Sequence, residues 1–129
     1  MLRRICVCLI LLTLCSFTQD LYIYHGNVFD KLFRDTNERF YVIFGDWTLL
    51  EFTSYENDRV RGHVDIVISQ IERVGKTLDN VIIMVHNHFG SPKLSGKDIQ
   101  VARQFIDMGY NGVFAVYDTA SGSLVTYRK

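Results

Sequence analysis

Apolar positions along the chain fall into blocks of two periods, helical and extended. Asn27 is placed to cap a short helix running to about Arg34, with Val28, Phe29, Leu32 and Phe33 on one side. Phe40 to Phe44 is an unbroken apolar, aromatic and β-branched run. Gly45-Asp46 interrupts it and Trp47 to Thr53 resumes it, the signature of a β-hairpin. Glu56 to Arg61 is polar and reads as a loop. Val60, Val64, Val67, Ile68, Ile71 and Val74 then recur at helical spacing, with Gly75 as the stop. Val81 to Val85 is wholly apolar, as expected of a central strand buried on both faces. Ser95 opens a third helix that turns Ile99, Ala102, Phe105 and Ile106 inward and ends near Gly109. Val113 to Tyr117 and Ser123 to Tyr127 are the last strands, joined by a turn at Asp118 to Gly122. The order α-β-β-α-β-α-β-β predicts an α/β fold, a mixed β-sheet flanked by helices.

The N-terminus breaks this pattern. Arg3 and Arg4 precede an apolar run from Ile5 to Leu14, about half the length that spans a bilayer. A basic start followed by a short apolar run is the layout of a secretory signal peptide, here residues 1–18 with cleavage near Thr18. Residues 19–129 then form one domain, and a periplasmic or secreted location is expected. All three cysteines, Cys6, Cys8 and Cys15, lie in the leader, so the mature domain has no disulfide, thiolate ligand or cysteine nucleophile. Leu12-Thr13-Leu14-Cys15 also resembles a lipobox, which would place a lipid on Cys15. Membrane contact is otherwise expected only through the leader. Lys plus Arg equals Asp plus Glu at 14 each, so no basic field points to nucleic acid. His25 reads as a solvated group, His63 as a surface or capping histidine, and the hairpin aromatics as core.

The candidate chemistry gathers in one stretch: His86-Asn87-His88, then Ser95, then Asp98. On an extended chain residues i and i+2 point to the same side, so His86 and His88 converge. Asp98 lies in the first turn of the next helix, and the loop between can fold that turn back over the strand's end. Two imidazoles and a carboxylate are a three-ligand zinc set with a fourth place for water. Zinc would lower that water's pKa toward about 7. Each part alone has an ordinary reading, since Ser95-x-x-Asp98 is also a helix capping box. The two are compatible: Ser95 caps while Asp98 faces the metal. His86-Asn87-His88 also spells the letters of the HNH nucleases, but those letters denote residues dispersed through a ββα-metal motif.

His86-x-His88 followed by Ser95-x-x-Asp98 resembles the JAMM motif of the JAB/MPN metalloproteases. Val81 to His88 is especially similar to their RadC-like branch, and the similarity runs on through Val113 to Asp118 and Gly122 to Arg128. The resemblance implies a JAB/MPN-like (cytidine-deaminase-like) domain that hydrolyses peptide or isopeptide bonds with Zn2+. It also implies a glutamate at the start of an early strand as general base. Glu38 occupies that place, with Glu51 its rival; Glu56 falls in a loop and Glu72 outside a helix's apolar stripe. Ser95 would hydrogen-bond the tetrahedral oxyanion. The expected partner is a peptide or protein substrate. Six residues separate His88 from Ser95, one fewer than the family's usual spacing, and Phe89 stands where proline is frequent. That departure motivates the alternative, a catalytically inactive JAMM-like domain binding a partner protein or an envelope component.

Overall fold

The computed structural model describes residues 3–6, 29, 32–33, 37–55 and 59–128. Its strands are β1 (Arg3–Cys6), β2 (Phe40–Phe44), β3 (Thr48–Phe52), β4 (Val81–His88), β5 (Val113–Asp118) and β6 (Ser123–Thr126), with helices α1 (Val60–Arg73) and α2 (Gly96–Asp107). One sheet contains them in the order β1-β3-β2-β4-β5-β6. The β4–β5 pair is parallel and the other pairs are antiparallel, so the expected mixed α/β sheet is observed. A parallel pair needs a crossover, and α2 supplies it between β4 and β5.

Side-chain alternation divides the core between the two faces of this sheet. Phe40, Val42, Phe44, Leu50, Phe52 and Met84 pack against Val64, Val67 and Ile71 of α1 and Val101, Ala102 and Phe105 of α2. Tyr41, Ile43, Leu49, Ile83, Val85 and Tyr117 face the other way, where Phe29 and Phe33 cover them. Both helices therefore lie on one face. The hairpin turn at Gly45-Asp46 ends with Trp47 at φ 66°, a left-handed position that a three-residue hairpin loop requires. The Asp46 carboxylate fixes this turn by accepting from the Thr48 amide and hydroxyl and from Lys76 Nζ. Gly75 (φ 77°) and Gly109 (φ 102°) follow the two helices at the positive φ that glycine adopts freely, and they end both helices where the sequence places the stops.

Several boundaries move. α1 already begins at Val60, inside the segment that reads as a loop. β4 continues past Val85 through His88, because β5 pairs with it as far as His88↔Asp118. Of the helix expected from Asn27 to Arg34, only Phe29, Leu32 and Phe33 are described; Phe29 and Leu32 are helical, and Phe33 N–H donates to Phe29 C=O. In the segment read as a leader, Arg3–Cys6 forms β1, the outer neighbour of β3. Residues 7–18, with Cys8, Cys15 and the expected cleavage point, lie outside the described residues, as does His25. Among the described residues, no helix is long and apolar enough to cross a membrane.

Candidate metal centre

β4 carries the first two candidates. His86 and His88 share its helix-facing side, separated by the outward Asn87, and both rings approach the N-terminus of α2. There Ser95 and Asp98 form a reciprocal capping box: Ser95 Oγ accepts the Asp98 amide, and Asp98 Oδ2 accepts the Ser95 amide at 2.8 Å. The cap fixes the Asp98 carboxylate against both rings. His86 Nδ1 lies 3.1 Å from Asp98 Oδ1, and His88 Nε2 lies 3.1 Å from Asp98 Oδ2. On the other side of His86, Glu38 Oε1 lies 3.0 Å from Nε2. All five sequence candidates, Glu38, His86, His88, Ser95 and Asp98, thus come together in space. Glu38, His86 and His88 each present a ligand atom within 4.8 Å of the others, a group that could hold a metal ion.

The proton positions can be deduced from the partners. Ser91 C=O only accepts, so His88 Nδ1, 3.0 Å away, carries the proton. His88 Nε2 faces the Asp98 carboxylate. His86 stands between two carboxylates and, when neutral, donates to one only. Its Nε2 is buried and has no hydrogen bond, although Glu38 is close. Two imidazoles and two carboxylates therefore meet at hydrogen-bond distance. Such a grouping holds a shared positive charge, a proton or a metal cation.

The two carboxylates differ in setting. The Glu38 side chain is 50% exposed and the Asp98 side chain 0%. Burial alone would raise the Asp98 pKa. Hydrogen bonds from His86, the Tyr55 hydroxyl and the Ser95 amide outweigh it and hold the carboxyl well below the usual carboxylate range. Tyr55 donates its hydroxyl to Asp98 Oδ1 and lays its ring on His86, with centroids 4.4 Å apart. Burial and the Asp98 charge push the Tyr55 pKa up, so it stays a donor.

Glu51, the rival base, belongs elsewhere. It pairs opposite Tyr41 on the sheet face away from His86, and its carboxylate binds Arg39 at 2.8 Å. Asp118, read as a turn residue, is buried at the end of β5. It accepts the Gly90 amide at 2.6 Å and the Ser121 hydroxyl, and Thr119 donates to the His88 carbonyl, so this corner fixes the backbone around His88. Tyr55 and Asp118 carry no local sequence signal, because each meets the site only through tertiary contact.

His63 corrects the expectation of a surface group: it is fully buried. The stripe of α1 includes position 63, one turn before Val67, and the polar identity of histidine conceals it. Its ring packs edge-on to Phe40 and Tyr55 at 4.8 and 4.7 Å. Burial, aided by His86 and Lys97, lowers its pKa to about 3 from 6.5. The unfolded chain binds this proton more readily, so the contribution is complete above pH 6.5 and is lost as pH falls toward 3. Between pH 7 and pH 5 His63 is expected to account for about 2 kcal/mol of lost stability. Urea titrations at the two pH values check this: a His63→Gln variant should lose correspondingly less than wild type.

Comparison with known protein families and with curated proteins finds no match to this chain.

Proposed function

We propose that this chain is an exported zinc-dependent metallohydrolase that cleaves peptide or isopeptide bonds. In this reading His86, His88 and Asp98 hold the metal, Glu38 is the general base and Ser95 stabilises the oxyanion. The observation that carries it is the meeting of two imidazoles with two carboxylates, one buried and one half-exposed. A zinc ion bound there supplies Lewis acidity and lowers the pKa of its water toward about 7. The donor set fits that ion, since imidazole and carboxylate are both common zinc ligands.

The chain's own residues divide the remaining work. Asp98, buried and hydrogen-bonded, stays ionised and orients both rings. Glu38 reaches solvent, so it can take a proton and later return it to a leaving amine. At 3.0 Å from His86 Nε2, its carboxylate is within reach of whatever that nitrogen holds. Ser95 Oγ uses a lone pair for the Asp98 amide and keeps its own hydrogen to donate. An open surface depression lined by Asn37, Arg39, Thr53 and Ser54 adjoins the Glu38 carboxylate. The support for export is Arg3-Arg4 and the apolar run that follows. Outside the cytoplasm, envelope peptides or a partner protein's tail suit the site as substrates.

One observation favours the alternative, an inactive JAMM-like domain that binds a partner protein or an envelope component. Asp98 Oδ1 and Oδ2 each already have two protein neighbours, Tyr55 and His86 on one, Ser95 and His88 on the other. A mixture of internally quenched peptides separates the two readings. The metallohydrolase cleaves some of them, stops with 1,10-phenanthroline and recovers with added zinc. A zinc-loaded protein that cleaves none favours the binding module.

A further inference from the structure

We infer that Asn87, the middle residue of His86-Asn87-His88, is the positioning residue for Glu38. The inference deepens the proposed function and rests on it. Asn87 is fully buried and points away from the two imidazoles between which it stands. Its side chain reaches the segment that leads into β2. Oδ1 accepts the Arg39 amide at 2.5 Å, and Nδ2 donates to the Asn37 carbonyl at 3.1 Å. The Asn87 backbone N–H donates to the Arg39 carbonyl at 3.3 Å. Three hydrogen bonds from one residue therefore bracket Glu38 on both sides.

The clamp is needed because regular pairing stops short of Glu38. The last partners in the β2–β4 register are Phe40 and His86. Residues 37–39 lie outside β2, and Glu38 itself is exposed. Where strand pairing has ended, these bonds act together with the Arg39–Glu51 pair to hold a segment whose carboxylate lies 3.0 Å from His86 Nε2. The chemistry of the pair of bonds selects asparagine. An N–H needs an acceptor and a carbonyl needs a donor, on one short planar group. Aspartate offers acceptors only and would face the Asn37 carbonyl with a second oxygen. Serine is too short to bridge both. The motif thus couples the two halves of the site: its histidines approach the metal position while its centre holds the base.

The test uses full-length protein loaded with zinc and acetohydroxamate as probe. A hydroxamic acid gives up its proton on chelation, and the Glu38 carboxylate is the adjacent base to receive it. Binding is measured by calorimetry for wild type, Asn87→Asp, Asn87→Ser, Glu38→Gln and the Glu38→Gln/Asn87→Asp double variant. All five should hold zinc equally. Asn87→Asp and Glu38→Gln should each weaken acetohydroxamate by about tenfold or more. The double variant should be no weaker than Glu38→Gln, since the clamp acts through that carboxylate. Asn87→Ser, which loses part of the clamp, should fall between, and it carries the test where Asn87→Asp does not fold. Wild-type binding in a zinc-loaded, folded Asn87 variant overturns the inference, as does a double variant whose losses multiply. A probe indifferent to Glu38→Gln removes the base role and the clamp's purpose with it. A wild type that takes up no zinc overturns the proposed function first, and this inference with it.

Discussion

Glu38→Gln is expected to leave the zinc content of the protein unchanged and to lower hydrolysis of a cleavable peptide by about 10²–10⁴-fold, the usual contribution of a positioned acid–base group. Glutamine keeps the size of the side chain and its approach to His86 Nε2, but it cannot accept and return a proton at neutral pH. The half-exposed position of Glu38 leaves its carboxylate open to exchange protons with solvent. Parallel measurement of metal content and turnover checks this. Loss of zinc from Glu38→Gln would instead make Glu38 a ligand, a role its place beside both imidazoles also allows.

Asp98→Ala should have the larger effect on the molecule itself. Zinc binding is lost, and the apoprotein is destabilised by about 3 kcal/mol, the order of a lost helix cap together with polar groups left without an acceptor. The reason is the number of groups that share this carboxylate. Without it His86 Nδ1 loses its acceptor in a buried setting, and the Tyr55 hydroxyl and the Ser95 amide lose theirs in a partly buried one. The α2 cap fails at the same time, since Ser95 and Asp98 cap each other. Denaturant midpoints measured with chelator present isolate this loss from the metal's own contribution. Asp98→Asn, which keeps the shape and one oxygen, should lose zinc with a smaller drop in midpoint.

Local pattern in the sequence was enough to place the hairpin, both helices with their glycine stops, and the strands on either side of α2. Period reports which side of an element faces the core, so the convergence of His86 and His88 could be read from their spacing, and the Ser95–Asp98 cap from its motif. What period does not report is contact across the sheet. The four-residue pairing of Arg3–Cys6 with β3 leaves no periodic trace, and the same residues fit a leader layout. Tyr55 reaches Asp98 across 43 positions and Asn87 reaches Asn37 across 50, so neither role has a local signature. His63 was misread because a histidine on an inward stripe looks polar until the ring cage of Phe40 and Tyr55 is assembled around it. Glu38 takes precedence over Glu51 from its place at the head of the early strand, while the sheet face and the Arg39 pairing of Glu51 are tertiary facts.

Elemental analysis of the purified protein after zinc addition and removal of excess, beside Asp98→Ala, asks whether this cluster of imidazoles and carboxylates holds a metal. About one zinc per chain is expected in the wild type and none in the variant. Folded wild-type protein that retains no zinc would rule out a metal centre here.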